Sequence, residues 1–209
     1  KPCQSLFKLS KMKQPDLENF VGIHNRKYCD GGQCIRLYKT FMKKKDPEAA
    51  NIVMGHNEED LLGLGTIFSL LAYKKLYDGE YHPKQCVILE QELKIVIELS
   101  AAAPVNVSCG NSDFYLSVNG YEARMLVHLK KGKLRQYYRN YKDYEFIPGE
   151  DTAMPKSITR YMDKSLKIAT TPQTCYTWFN CDEDFLNNEK KQMQYLTHTL
   201  PFFLDNLNK

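Results

Sequence analysis

His56 and Asp60 stand four residues apart in the run His56-Asn57-Glu58-Glu59-Asp60, directly ahead of the apolar stretch Leu61 to Tyr73. Residues four apart on a helix share a face, so this spacing sets an imidazole beside a carboxylate. That pair suits metal-dependent phosphodiester chemistry. The carboxylate holds a hard cation and the imidazole handles a proton of water. The same residues also read as a polar helix start, because a His and an Asp at this spacing often occur by chance. Glu58 and Glu59 read either as exposed first-turn acids, favourable beside a helix N-terminus, or as supports behind a ligand.

A second candidate surface lies in Lys130 to Phe146. Lys130, Lys131, Lys133, Arg135, Arg139 and Lys142 are interleaved there with Tyr137, Tyr138, Tyr141, Tyr144 and Phe146. Such a strip can hold a single strand of nucleic acid, phosphates on the cations and bases on the rings. It equally describes an outer strand with alternating basic and aromatic faces, its tyrosines half buried. His24 and Arg26 sit in a loop before Gly31-Gly32, either facing a phosphate or simply solvated. Glu150-Asp151 reads as a helix cap rather than a metal ligand pair. His82, His128 and His198 have no partners in the sequence and read as structural.

These residues are positioned by two stretches of different character. Residues 1–79 read as helical. A short helix, Leu17 to Val21, stops at Gly22, and apolar residues recur at helical spacing through Ile35, Leu37, Tyr38, Phe41 and Met42. Asp46-Pro47 starts a helix over Glu48 to Met54. The next helix runs from His56 to Tyr73 and is expected to bury Leu61, Leu62, Leu64, Ile67, Phe68, Leu70 and Leu71. Residues 80–209 read as antiparallel and β-rich. Strand patterns cover Cys86 to Leu99, Phe114 to Val118, Ala123 to Leu129 and Lys133 to Tyr141. Asn119-Gly120 reads as a hairpin turn and Lys131-Gly132 as another, giving a meander. A helix is expected over Pro155 to Lys164, and a short one before the aromatic tail Phe202-Phe203. The fold class is therefore α+β.

Bulk properties narrow the function. The 209 residues suffice for one large or two small domains. No apolar run reaches the roughly 20 residues that cross a bilayer, and Lys1 to Lys13 is polar and basic, unlike a secretory leader. Seven cysteines, Cys3, Cys29, Cys34, Cys86, Cys109, Cys175 and Cys181, form neither CxxC pairs nor zinc spacings. They read as reduced thiols in a cytoplasmic protein. The net charge of +4 comes wholly from residues 1–79, where Lys and Arg outnumber Asp and Glu by 13 to 9. That balance fits an anionic substrate or an ordinary solvated surface.

Longer motifs add a resemblance. Glu18-Asn19-Phe20-Val21-Gly22-Ile23, Asp30-Gly31-Gly32 with Ile35 and Leu37-Tyr38, then Phe41, Asp46 and His56 through Leu64 resemble the C-terminal part of the YprB-like ribonuclease H-like domain. The likeness covers about residues 1–78. Asn140-Tyr141-Lys142-Asp143-Tyr144, Glu150-Asp151, Lys156-Ser157, Tyr161-Met162-Asp163-Lys164 and Thr174-Cys175-Tyr176 are similar to the accessory region of a clostridial-type subgroup. The family is a branch of the DEDD exonucleases, which use four carboxylates from three motifs to bind two divalent metals. The resemblance therefore implies a 3′-5′ exonuclease on single-stranded DNA or RNA using Mg²⁺ or Mn²⁺. Asp60 corresponds to the metal-binding aspartate of the last motif, and His56 to the residue near the attacking water. The first two motifs have no counterpart here. The remaining carboxylates are expected on an upstream segment or a partner chain, and the chain alone is expected to be inactive. The alternative is a non-catalytic nucleic-acid-binding or protein-interaction module that keeps a remnant of the fold.

Overall fold

Among the residues that the computed structural model describes (3–24, 26–28 and 31–207), five α-helices precede the first strand. They are α1 (Gln4–Phe7), α2 (Gln14–Phe20), α3 (Gly31–Lys44), α4 (Pro47–Ile67) and α5 (Leu71–Asp78). Cys29 and Asp30, singled out in the sequence, lie outside the described residues. Local chemistry fixes several ends. Asp16 accepts the Lys13 backbone N–H at 3.1 Å before α2, and Gly22 follows that helix at φ +94, a left-handed conformation that favours glycine. The Asp46 carboxylate accepts from the Glu48 backbone at 3.0 Å, with Pro47 in the first turn, as the sequence indicates.

The sequence predicts two helices meeting near Gly55, whereas the structure has one, α4, running through it. Gly55 serves close packing rather than a break. A Cβ there would overlap the Tyr28 ring, and one at Gly63 would overlap the Glu18 carboxylate. His56 to Asp60 thus lies in the middle of a helix, and Glu58 and Glu59 are not first-turn acids.

The chain divides into two compact units, one of them Phe7–Leu71 and the other the N-terminal residues through Leu6 together with Ala72 onward. The sequence places the division after Gly79. The boundary lies earlier because α5 buries Ala72, Tyr73, Leu76 and Tyr77 in the β-rich unit. There the Tyr77 hydroxyl reaches Asp205 at 2.9 and 3.0 Å, and the Cys3 thiol donates to the Tyr73 carbonyl at 3.1 Å.

In the helical unit α4 packs against both α2 and α3. The expected burial of the apolar run after Asp60 does not occur. Leu61, Leu62 and Phe68 are 70%, 67% and 65% exposed, and Leu64 and Leu71 are exposed too. On α3, Ile35, Tyr38 and Met42 are exposed at helical spacing. The pattern has the right period for helices. Among the described residues of this unit, however, no sheet or further helix lies over these positions.

In the β-rich unit, β1 (Tyr81–Leu89), β2 (Glu92–Gly110) and β3 (Phe114–His128) form an antiparallel sheet in the order β1-β2-β3. Asn119-Gly120 is not a hairpin. β3 runs through it, and Gly120 (φ +54) stands opposite Ala103 between two shifts of register, which is a bulge. β4 (Lys133–Tyr137), β5 (Tyr144–Ile147), β6 (Thr152–Pro155), β7 (Ile168–Ala169) and β8 (Tyr176–Asn180) follow, with α6 (Lys156–Thr159) after β6. The Lys131-Gly132 turn forms as expected, with φ 53 and 72. β4 then pairs with β8 instead of extending the meander, and β6-β5-β7 makes a third sheet. The helix expected to Lys164 stops at Thr159, and Asp163 caps a separate 3₁₀ turn through the Ser165 N–H at 2.8 Å. After α7 (Glu183–Leu186), α8 (Glu189–Asp205) absorbs the aromatic tail. The core forms between α8 and the inner faces of the strands. Phe203 stacks on Phe114 at 4.1 Å and Phe202 on Tyr137 at 3.8 Å, above buried Leu93, Ile95, Ile97, Leu116 and Met125.

Among the described residues no disulfide is present, and no helix is long and apolar enough to cross a membrane. Burial pushes the Cys3 and Cys86 thiols up to about 12, and Cys175 and Cys181 to about 11, which makes them poor nucleophiles at neutral pH.

Tyr73 links α5 to the sheet: its hydroxyl donates to the Val105 carbonyl and accepts the Val105 N–H at 3.3 Å. Tyr73→Phe is expected to cost about 1 kcal/mol, roughly 2–4 °C in Tm for a chain of this size. Tyr137→Ala, which empties a stacked core position, is expected to cost about 3–5 kcal/mol. Thermal and urea denaturation check both.

Candidate functional site

The helical unit is organised around a buried carboxylate. Glu18 on α2 is 2% exposed. Arg26 answers it with a forked pair, Nε to Oε2 at 2.7 Å and Nη2 to Oε1 at 2.6 Å. The third arm of the guanidinium, Nη1, donates to Asp60 Oδ1 on α4 at 2.6 Å. Gln14 adds bonds to Glu18 Oε1 at 2.9 Å and to the Asp60 carbonyl at 3.0 Å. Glu59 accepts the N–H groups of Lys27 and Tyr28 at 2.9 and 3.3 Å. The loop carrying Arg26 is thereby held against both helices. Hydrogen bonds from Arg26 hold the Glu18 carboxyl below its usual range, against the opposing effect of burial, and Gln14 adds to the lowering. Both carboxylates, Glu18 before Asp60, raise the Arg26 guanidinium.

His56 and Asp60 share a face of α4 as the spacing predicts. His56 Nδ1 lies 3.3 Å from Asp60 Oδ2. The approach is too far off line for a hydrogen bond, and Nδ1 is a buried atom with no such partner. That nitrogen faces inward rather than toward solvent. A two-metal centre does not fit the residues present. Asp60 is a single carboxylate with one oxygen already held by Arg26. Among the described residues no group of three or more His, Cys, Asp or Glu side chains is placed to hold a metal ion.

Arg26, expected in a loop that faces a phosphate, instead has its arms committed to Glu18 and Asp60. His24 is exposed, with Nδ1 3.4 Å from Asn19 Oδ1. Sequence reasoning missed Glu18 as an organising residue, and of its two readings of Glu59 the supporting one fits the bonds to the loop better than the exposed one. The available signal was a carboxylate four positions after Gln14 and three before Val21, on one side of α2, with an arginine eight positions later.

The basic and aromatic strip does not form one open surface. Tyr137 is 6% exposed and stacked beneath Phe202, so no base can reach its face. Arg135 lies over the rings of Tyr176 and Trp178 at 4.3 and 5.0 Å, with Asp151 at 3.9 Å. Lys130 pairs with Asp113 at 3.1 Å. Arg139 lies 3.5 Å from Asp205 and over the Tyr77 ring at 5.0 Å. Tyr141 is half buried, its carbonyl accepting from Thr170. Lys131 and Lys133 remain exposed at the turn.

A family model described as the RNase_H superfamily matches residues 2–72. The match ends where the first compact unit ends and contains Glu18, Arg26, His56 and Asp60. No curated protein and no solved structure matches the chain.

Two outcomes follow from the Glu18 pair. Its folded carboxyl titrates below the unfolded value of about 4.3, so its contribution is fully present above that pH. The contribution is lost as pH falls through the lower folded value. Glu18→Gln is expected to flatten the acid limb of a stability-against-pH curve. Arg26→Met, which strands a buried carboxylate, is expected to cost about 3 kcal/mol at pH 7, read by urea denaturation.

Proposed function

We propose that the helical unit is the part of a nuclease domain that carries its last catalytic motif, in a 3′-5′ exonuclease acting on single-stranded DNA or RNA. The observation that carries this reading is the match to the RNase_H superfamily over residues 2–72, with His56 and Asp60 inside it on one face of α4. Carboxylates beyond the described residues complete the centre, supplied by a further segment or a partner chain. The exposed apolar stripe of Ile35, Tyr38, Met42, Leu61, Leu62 and Phe68 supports this. Large apolar residues left exposed on two adjacent helices fit a domain whose remaining layer lies elsewhere. Mg²⁺ or Mn²⁺ belongs to the reading only when further carboxylates join Asp60. Within this chain, Arg26 orients and neutralises the Asp60 carboxylate, and His56 stands beside it on the same face of α4. The β-rich unit acts as an accessory domain, with Lys131 and Lys133 as its open phosphate contacts.

A second reading is favoured by one specific contact. Arg26 at 2.6 Å already supplies Asp60 with a cation, the arrangement of a non-catalytic module that keeps the helices as a nucleic-acid-binding or protein-interaction surface.

End-labelled single-stranded DNA and RNA, incubated with Mn²⁺ and the protein in its complete assembly, separates the two. The nuclease reading expects shortening from the 3′ end that drops by at least about a hundredfold in Asp60→Asn. Equal shortening by both proteins excludes Asp60 as a ligand. No shortening, with strand binding retained, supports the module.

A further inference from the structure

The solvent face of the β2–β3 hairpin carries a second candidate site, remote in sequence from Asp60 and inside the β-rich unit. A cavity of about 550 Å³ opens there, within the size range of small-ligand sites. Its floor is a short ladder of matched polar residues. Ser108 pairs directly with Ser117 and Val107 with Val118, and Asn106 and Asn119 flank that last pair and line the same cavity. Val107 and Val118 point into the core, which turns the two asparagines and two serines outward. Among the described residues none of these four side chains has a hydrogen-bond partner. The remaining charges, Glu122 and Arg124, bind one another at 2.5 Å.

We propose that this cradle binds a neutral saccharide through its hydroxyl groups. Two amides and two hydroxyls offer donors and acceptors side by side, the combination that a ring of alternating hydroxyls satisfies. The cradle has no net charge, so it gives a phosphodiester strand none of the attraction that dominates nucleic-acid binding. The next rung on the same face is Gly110 opposite Tyr115. The bare glycine leaves room for the Tyr115 ring, whose Cδ2 would stand 3.2 Å from a Cβ at that position. Tyr115 is 46% exposed, an amphipathic ring available to the apolar face of a sugar. Along β2 the four residues from Asn106 to Gly110 span about 14 Å by the rise of a strand, so the site suits an oligosaccharide.

The test titrates the full chain with cellohexaose, maltohexaose and chitohexaose, with an oligothymidylate as the anionic comparator. At least one hexasaccharide is expected to bind at about 1 mM or tighter by calorimetry. The side-chain amide resonances of Asn106 and Asn119 are expected to shift on its addition. Asn106→Ala with Asn119→Ala is expected to weaken binding at least about tenfold without moving Tm, and Tyr115→Ala to weaken it as well. Absence of binding by all three sugars overturns the proposal. So does binding that leaves the two amide signals unmoved, or occupation of the cradle by the oligothymidylate instead. The amide shifts are read on the unmodified protein, so the result stands even where a variant folds poorly.

Discussion

A carboxylate removed from water must find a cation, and Glu18 imposes that demand on the helical unit. Moving an unpaired charge into a protein interior costs several kcal/mol, so Arg26 has to be held where its fork meets Glu18. Everything near the site follows from this. Gln14 ties Glu18 to α4, Glu59 fastens the loop, Gly63 clears space for the carboxylate, and Gly55 lets Tyr28 lie on α4. In α2 the buried residue is Glu18, α3 buries none, and α4 buries only Ala49, Gly55, His56 and Gly63. The unit is registered by an ionic network and close helix approach, not by an apolar interior. Such networks set geometry more than they add stability.

The β-rich unit rests on the opposite principle. Its strands β2 and β3 turn Leu93, Ile95, Ile97, Leu116 and Met125 inward, all fully buried, and α8 closes over them with stacked rings. Burial of this kind is worth roughly 25 cal/mol per Å² of apolar surface. A layer of sheet under a long helix satisfies it without charged groups. The two units thus place their apolar residues differently, inward in one and outward in the other.

Periodicity and caps made the element types legible. The α3 pattern, the Asp46-Pro47 start and the Lys131-Gly132 turn all stand where the sequence places them. Pairing was not legible. Nothing in Lys133 to Tyr137 says that its partner is Tyr176 to Asn180, because that choice depends on residues about forty positions away. Asn119-Gly120 carries the residues of a hairpin, but a bulge needs the same left-handed glycine. At the site, the His56–Asp60 spacing gave their shared face. The partner that occupies Asp60 was hidden, since a loop arginine reads alike whether it meets phosphate, water or a buried acid.

The hydroxyl of Tyr73 has a consequence for the surface of the molecule. Val105 stands within the second register shift of the β2–β3 ladder, between Ala103 and Val107, where strand pairing is interrupted. An unpaired N–H and C=O at such a gap would template a foreign strand. One side chain occupies both groups at once, and Pro104 beside it has no N–H to offer. At this gap β2 thereby offers neither group of Val105 to a foreign strand.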